Sequence, residues 1–161
     1  MKYSGRHDRG FTMIEIIIVL LLICIIGVAV TIPSVYSTSD YNLTSQTEVI
    51  KSHLRYAQAR AMNTDVVWGI NFSTPTSYFL FKESPTEVNK MFLPGENSNT
   101  ISPIPGGIIV TTGTVYFDSW GMPYNVAPSP SANSITINIP VSLGGSPPET
   151  IIITKNTGFI P

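Results

Sequence analysis

Few residues of this chain can do chemistry, and Glu15 is the most unusual of them. It is the single acid in a run of 22 positions from Phe11 to Ile32, where Thr12 and Thr31 are the only other clearly polar side chains. The fifteen residues from Ile16 to Val30 carry no polar side chain at all. An ionised carboxylate in such surroundings is costly unless a cation or a proton neutralises it. Just ahead of it lie Lys2, Arg6 and Arg9, then the junction Gly10-Phe11. Were the chain to begin at Phe11, its free amine would stand about 6 Å along a helix axis from Glu15 at ~1.5 Å per residue. In a low-dielectric medium an ammonium and a carboxylate attract strongly, while either alone is expensive to bury. The chemistry on offer is charge pairing, not catalysis.

The remaining reactive residues support no catalytic constellation. The one cysteine, Cys24, lies inside the apolar run, so no intramolecular disulfide can form and the rest must hold together by packing. His7 lies in the basic leader and His53 in a helical segment, each without a second ligand nearby in sequence. There is no Gly-rich phosphate loop, and beyond Tyr124 the only acid is Glu149. The reading is of a non-enzyme, with no cofactor and no metal site. The formal charge is −1, and losing residues 1–10, which carry a net +2, would leave −3. The remaining lysines and arginines do not cluster, and Lys155 is alone in the C-terminal third. Phosphate recognition needs several such residues, which argues against a nucleic-acid partner.

The elements that must position Glu15 follow from pattern. Residues 11–33 are long enough to cross a bilayer, which takes about 20 mostly apolar residues. Positive charge before this helix, and none close behind it, keeps the N-terminus cytoplasmic and exports the rest. A plain signal anchor shares these features but has no use for Glu15. A conventional secretory signal would be cut after the apolar region, near Gly27-Val28-Ala29. Pro33 ends or kinks the helix. Residues 34–65 read as an amphipathic segment. Positions 34–43 are polar and Ser45-x-x-Glu48 has the spacing of a capping box. Ile50, Leu54, Ala57 and Ala61 then form one narrow apolar stripe suited to lying on a sheet.

From residue 66 the hydrophobic period changes to two. Candidate strands are 66–72, 78–82, 108–112, 114–117, 134–139 and 150–154, rich in Ile, Val, Tyr, Phe and Thr and bounded by Pro, Gly and Ser. Long loops are expected at 84–107, 123–133 and 142–148. Pro128, Pro130, Pro147 and Pro148 should keep two of them out of the sheet. The fold class is α+β: a long N-terminal helix, then an antiparallel β-sheet domain at 66–161. Asp118 reads as a turn-former bonding nearby amides and Trp120 as a partly buried anchor.

Gly10-Phe11-Thr12-Met13-Ile14-Glu15 resembles the processing site of type IV prepilins and type II secretion pseudopilins. The resemblance implies cleavage after Gly10 by a membrane prepilin peptidase, which also methylates the new amine of Phe11. It places Glu15 at the fifth mature position, where the family keeps its acid and where the amine of a neighbouring subunit would pair with it. His53-Leu54-Arg55-Tyr56-Ala57-Gln58-Ala59-Arg60-Ala61-Met62-Asn63 resembles the helix end of GspH/FimT-type minor pseudopilins and pilins. Val115-Tyr116-Phe117-Asp118-Ser119-Trp120-Gly121-Met122-Pro123 and the close at 151–160 are similar to their strand-turn and last strand-pair elements. Asp118-x-Trp120-Gly121-x-Pro123-Tyr124 also resembles a segment of major pseudopilins. Those bind calcium through acids that this chain lacks after Tyr124.

The resemblance implies a minor pseudopilin of a type II secretion system, seated in the inner membrane with its β-domain in the periplasm before entering a pseudopilus. A minor pilin of a type IV pilus is the alternative, and a major pseudopilin a more distant one. Implied partners are other pilins or pseudopilins, the prepilin peptidase/methyltransferase, the inner-membrane assembly platform and the membrane itself. The processing residues are Gly10 and Phe11, and the assembly residue is Glu15.

Overall fold

The computed structural model describes residues 11–31, 38–129, 132–144 and 146–161, with side chains from 11 to 26 and from 41 onward. Gly10 and Pro33, and with them the expected cleavage junction and helix stop, lie outside the described residues. The chain forms two compact units, Met1–Tyr36 and Ser37–Pro161.

The first unit contains helix α1, Met13–Thr31. Apart from Glu15 and Cys24, its described side chains are branched or long aliphatics on every side. The second unit opens with α2, Thr38–Thr64. This helix begins earlier than Ser45-x-x-Glu48 suggested: Ser45 lies within it and caps nothing. Glu48 instead bonds Lys51 at 2.7 Å, which holds its carboxyl below the usual carboxylate range. The stripe is as expected and longer. Leu43, Thr47, Ile50, Leu54, Ala57 and Ala61, at alternating steps of four and three, are all buried. The helix ends where Asp65 turns to φ 51°, and the Asn63 and Thr64 side chains bond back onto the carbonyls of Ala59 and Arg60 one turn earlier.

Eight strands follow: β1 Trp68–Thr74, β2 Ser77–Lys82, β3 Lys90–Met91, β4 Ile109–Val110, β5 Gly113–Phe117, β6 Pro123–Tyr124, β7 Ile137–Ser142 and β8 Glu149–Ile153. They make a five-stranded sheet in the order β3-β2-β1-β5-β6 and a three-stranded sheet β4-β7-β8, all pairs antiparallel. Six strands match expected runs with shifted ends. The expected 108–112 shrinks to two residues, and 134–139 slides to Ile137–Ser142 around Pro140. The missed strands β3 and β6 are two residues each and sit in segments read as loops. Nothing that short shows a period.

The α2 stripe packs on one face of the five-stranded sheet, against Trp68, Ile70, Phe72, Tyr78, Leu80, Val115 and Phe117. Ile139, Val141, Ile151 and Ile153 of the second sheet join the same core. The opposite face is buried too. Phe79, Phe81, Tyr116 and Tyr124 form a separate cluster, with Val67, Met122 and Ala132 packed on it. Tyr116, on the same side of β5 as the polar Thr114 and Asp118, is therefore only 8% exposed. Gly69 makes this second cluster fit. It lies between Phe81 and Tyr116 in register, whose rings meet edge to face at 5.2 Å, and a Cβ there would run into the Phe81 ring and the Val115 carbonyl.

Candidate assembly site

Thr12 stands immediately before α1 and caps it. Its carbonyl accepts the amides of Glu15 at 3.0 Å and Ile16 at 3.3 Å, and its hydroxyl accepts the Glu15 amide at 3.3 Å. Thr12-x-x-Glu15 thus has the capping spacing that sequence reading assigned to residues 45–48. The position gives that charge a local use: a carboxylate in the first turn complements the positive end of the helix dipole.

Every described side chain from Phe11 to Ile26 is exposed, from Phe11 at 80% and Met13 at 86% to Val19 at 49%. Phe11, Glu15, Ile16, Val19 and Leu20 share one face and line a shallow apolar groove. A helix apolar all round has no face to show water and calls for lipid or other helices around it. Cys24 is a free thiol on this surface. No helix among the described residues is long and apolar enough to cross a membrane. The span expected over 11–33 is therefore a reading of the sequence.

In the second unit, the segments that carried the family resemblance meet at the end of α2. Asp118 is the turn-former expected: Oδ1 accepts the amides of Trp120 at 3.0 Å and Met122 at 2.9 Å, and Oδ2 accepts the Tyr124 hydroxyl at 3.0 Å. Desolvation, and then this acceptor, push the Tyr124 hydroxyl above its ordinary value. Trp120 is not a buried anchor. It is 79% exposed, because the tight turn that Asp118 closes throws its side chain outward. Gln58 is a residue that sequence reading missed. Its amide donates to the carbonyls of Gly121 at 2.9 Å and Thr157 at 3.1 Å, tying the β5–β6 turn to the turn after β8. The Arg55 guanidinium donates to the Ile160 carbonyl at 3.1 and 3.3 Å, fastening the C-terminal segment to the helix. The close at 151–160 is one strand and a hydrogen-bonded turn (Gly158 amide to Thr154 carbonyl, Thr154 amide to Phe159 carbonyl), not a strand pair. His53, read as an unremarkable helix residue, is buried with Nδ1 at 2.9 Å from the Tyr78 hydroxyl. Burial lowers its pKa from 6.5 against a smaller upward pull from Glu96.

Residues 5–31 match the family model described as the prokaryotic N-terminal methylation motif. In fold, the chain is similar to the type IV minor pilin FimU of Pseudomonas aeruginosa, with a TM-score of 0.52 and 12% identity over 77% of this chain and 90% of that one. It is equally similar to the minor pseudopilin EpsH from the type 2 secretion system of Vibrio cholerae, with a TM-score of 0.53 and 8% identity over 74% of this chain and 94% of that one. A second structure of that pseudopilin gives a TM-score of 0.52 at 9% identity, over 78% of this chain and 94% of that one. No curated protein is significantly similar to the chain in sequence. The chain thus combines a prokaryotic N-terminal methylation motif with an α+β fold like that of FimU and EpsH.

Proposed function

We propose that the chain is a minor pseudopilin of a type II secretion system, anchored in the inner membrane through residues 11–33 and assembled through the same helix into a pseudopilus. The observation that carries this reading is α1 itself: apolar on every described side, capped by Thr12, and bearing one acid in its first turn. A prepilin peptidase would cut after Gly10 and methylate Phe11. The amine so created would pair with Glu15 of a neighbouring subunit, fixing the axial register, while Ile16–Val30 packs against other such helices. Its partners are other pseudopilins and an inner-membrane assembly platform. The fold likeness to FimU favours one second reading, a minor pilin of a type IV pilus, which uses the same chemistry in another machine.

The test has two parts. Mass spectrometry of the membrane-extracted protein is expected to show loss of residues 1–10 and one added methyl on Phe11. An intact Met1, or a mature start near Val30, would sink the proposal. Glu15→Gln, which retains the spacing of the cap but loses the charge, should insert and be processed normally, yet crosslink to partner subunits several-fold less. Unchanged crosslinking would remove Glu15 from the assembly contact.

A further inference from the structure

His53 is a buried titratable group that assembly leaves unused, and its partner is the strand residue that ties down a loop. The ring is 5% exposed, with Nδ1 2.9 Å from the Tyr78 hydroxyl. Nε2 has no hydrogen-bond partner among the described residues. Tyr78 also exchanges both main-chain bonds with Ile101, at 3.1 and 2.9 Å, and so anchors the far end of the stretch that leaves β3. Leu93, 3% exposed, anchors its near end. Between these two buried residues the chain is loosely tied. The Glu96 amide bonds the Leu93 carbonyl, and the Thr100 amide and hydroxyl bond the Ser98 and Asn99 side chains. No printed bond joins 94–100 to any other part of the fold among the described residues. Gly95 turns at φ 82°, with nothing within 4 Å of where a Cβ would stand. The stretch carries one charge, Glu96, and Glu96 is exposed.

The charges around His53 leave one candidate to answer a proton there. Tyr78 faces it from β2, but burial, and then Glu96, push that hydroxyl far above its ordinary value, so it stays neutral. The segments β1, β5, β7 and 105–107, which also pack on α2, carry no charged side chain. Glu149 of β8 bonds Thr44, nine residues back along α2, and Glu48 and Lys51 on α2 itself pair with each other. Glu96 is the acid whose charge acts on the ring. We propose that residues 94–100 form a strap that closes on α2 in mild acid, when a proton on His53 draws in the Glu96 carboxylate. The imidazolium carries a hydrogen on both nitrogens. Nδ1–H donates to the Tyr78 oxygen, which leaves Nε2–H for the carboxylate. A buried cation without a counter-charge is costly, and the strap can bring one at the expense of ordering only a few residues. Above the ordinary value of 6.5 the ring is neutral and the strap is open; burial places closure below that value. The device lies wholly in the second unit, and the proposal is independent of the filament reading.

The test uses full-length protein in detergent, with backbone relaxation and the His53 ring shift followed by NMR in the same samples. Between pH 7.5 and pH 5, the order parameters of Gly95, Glu96 and Asn97 should rise from below about 0.6 toward about 0.85. That rise and the His53 titration should share one midpoint. Glu96→Gln keeps the length of the strap and removes its charge. His53 should still titrate in that variant, at a lower midpoint, while 94–100 stays mobile throughout. His53→Gln should hold the strap open at every pH. If His53→Gln does not fold, Glu96→Gln decides alone, since Glu96 is exposed and its loss leaves the core intact. A strap already ordered at pH 7.5, one that loosens in acid, or ordering that survives Glu96→Gln would each overturn the proposal. So would a His53 ring that stays neutral down to pH 5, or one that titrates while the strap does not respond.

Discussion

The two long helices make opposite use of apolar side chains. In α1 they cover every described side and all stand exposed. In α2 they occupy one stripe, and the six residues of that stripe are at most 2% exposed. α1 is by far the more hydrophobic in sequence, yet α2 is the one with a core to join. What decides burial within a folded unit is whether apolar residues repeat on a face that another element can cover. A helix without such a face carries its hydrophobic surface to partners outside the unit.

The sharpest way to break this comparison is a matched pair of truncations. Leu54→Ala removes a fully buried side chain between α2 and the sheet and should cost about 3 kcal/mol. Leu21→Ala, 56% exposed on α1, should leave unfolding of the β-domain unchanged. Urea denaturation followed by tryptophan fluorescence reads both, because Trp68 reports the core. Equal losses would mean that α1 is part of the same packed unit.

A smaller effect is expected from pH. His53 is buried and its pKa is depressed, so the native state favours the neutral ring and the unfolded state binds the proton more readily. The associated stability is fully present above 6.5, the ordinary value, and is lost as pH falls below it toward the folded value. Melting temperature measured from pH 7.5 to 5 should decline, and His53→Gln should flatten that slope. A rising melting temperature over the same interval would contradict the buried neutral ring. At the bottom of the scale, Trp120→Ala should change stability by less than about 0.5 kcal/mol, since the side chain stands in solvent while Asp118 holds the turn through the backbone. A larger loss would restore the anchor role that the sequence first suggested.

How far the sequence could be read varied with the length over which a pattern repeats. The α2 stripe repeats over many turns and was found correctly. β1, β2, β5 and β8 are long enough for composition to mark them. The start of α2 was misplaced because Ser45-x-x-Glu48 imitates a cap inside a helix, where Lys51 gives Glu48 other employment. β3 and β6 hold two residues each, set by pairing with neighbours that sequence does not reveal. Of the candidate assembly site, Glu15 and its apolar surroundings were legible directly, whereas the cap by Thr12 emerged only with the helix. Gln58 could not be found beforehand, because its two acceptors are carbonyls 63 and 99 residues away.

The aromatic cluster on the far side of the five-stranded sheet changes what the long surface segments are. Met122 and Ala132 pack on it, and the Lys90 ammonium stands 4.4 Å over the Phe79 ring. Lys90 and Ala132 come from the stretches that look dispensable in sequence, rich in proline, serine and glycine. Trimming either stretch would uncover Phe79, Phe81, Tyr116 and Tyr124 to water as one sticky surface. Shortened versions of this protein should therefore fail by clumping rather than by losing their fold, and the segments are better regarded as a lid on half the sheet than as ornament.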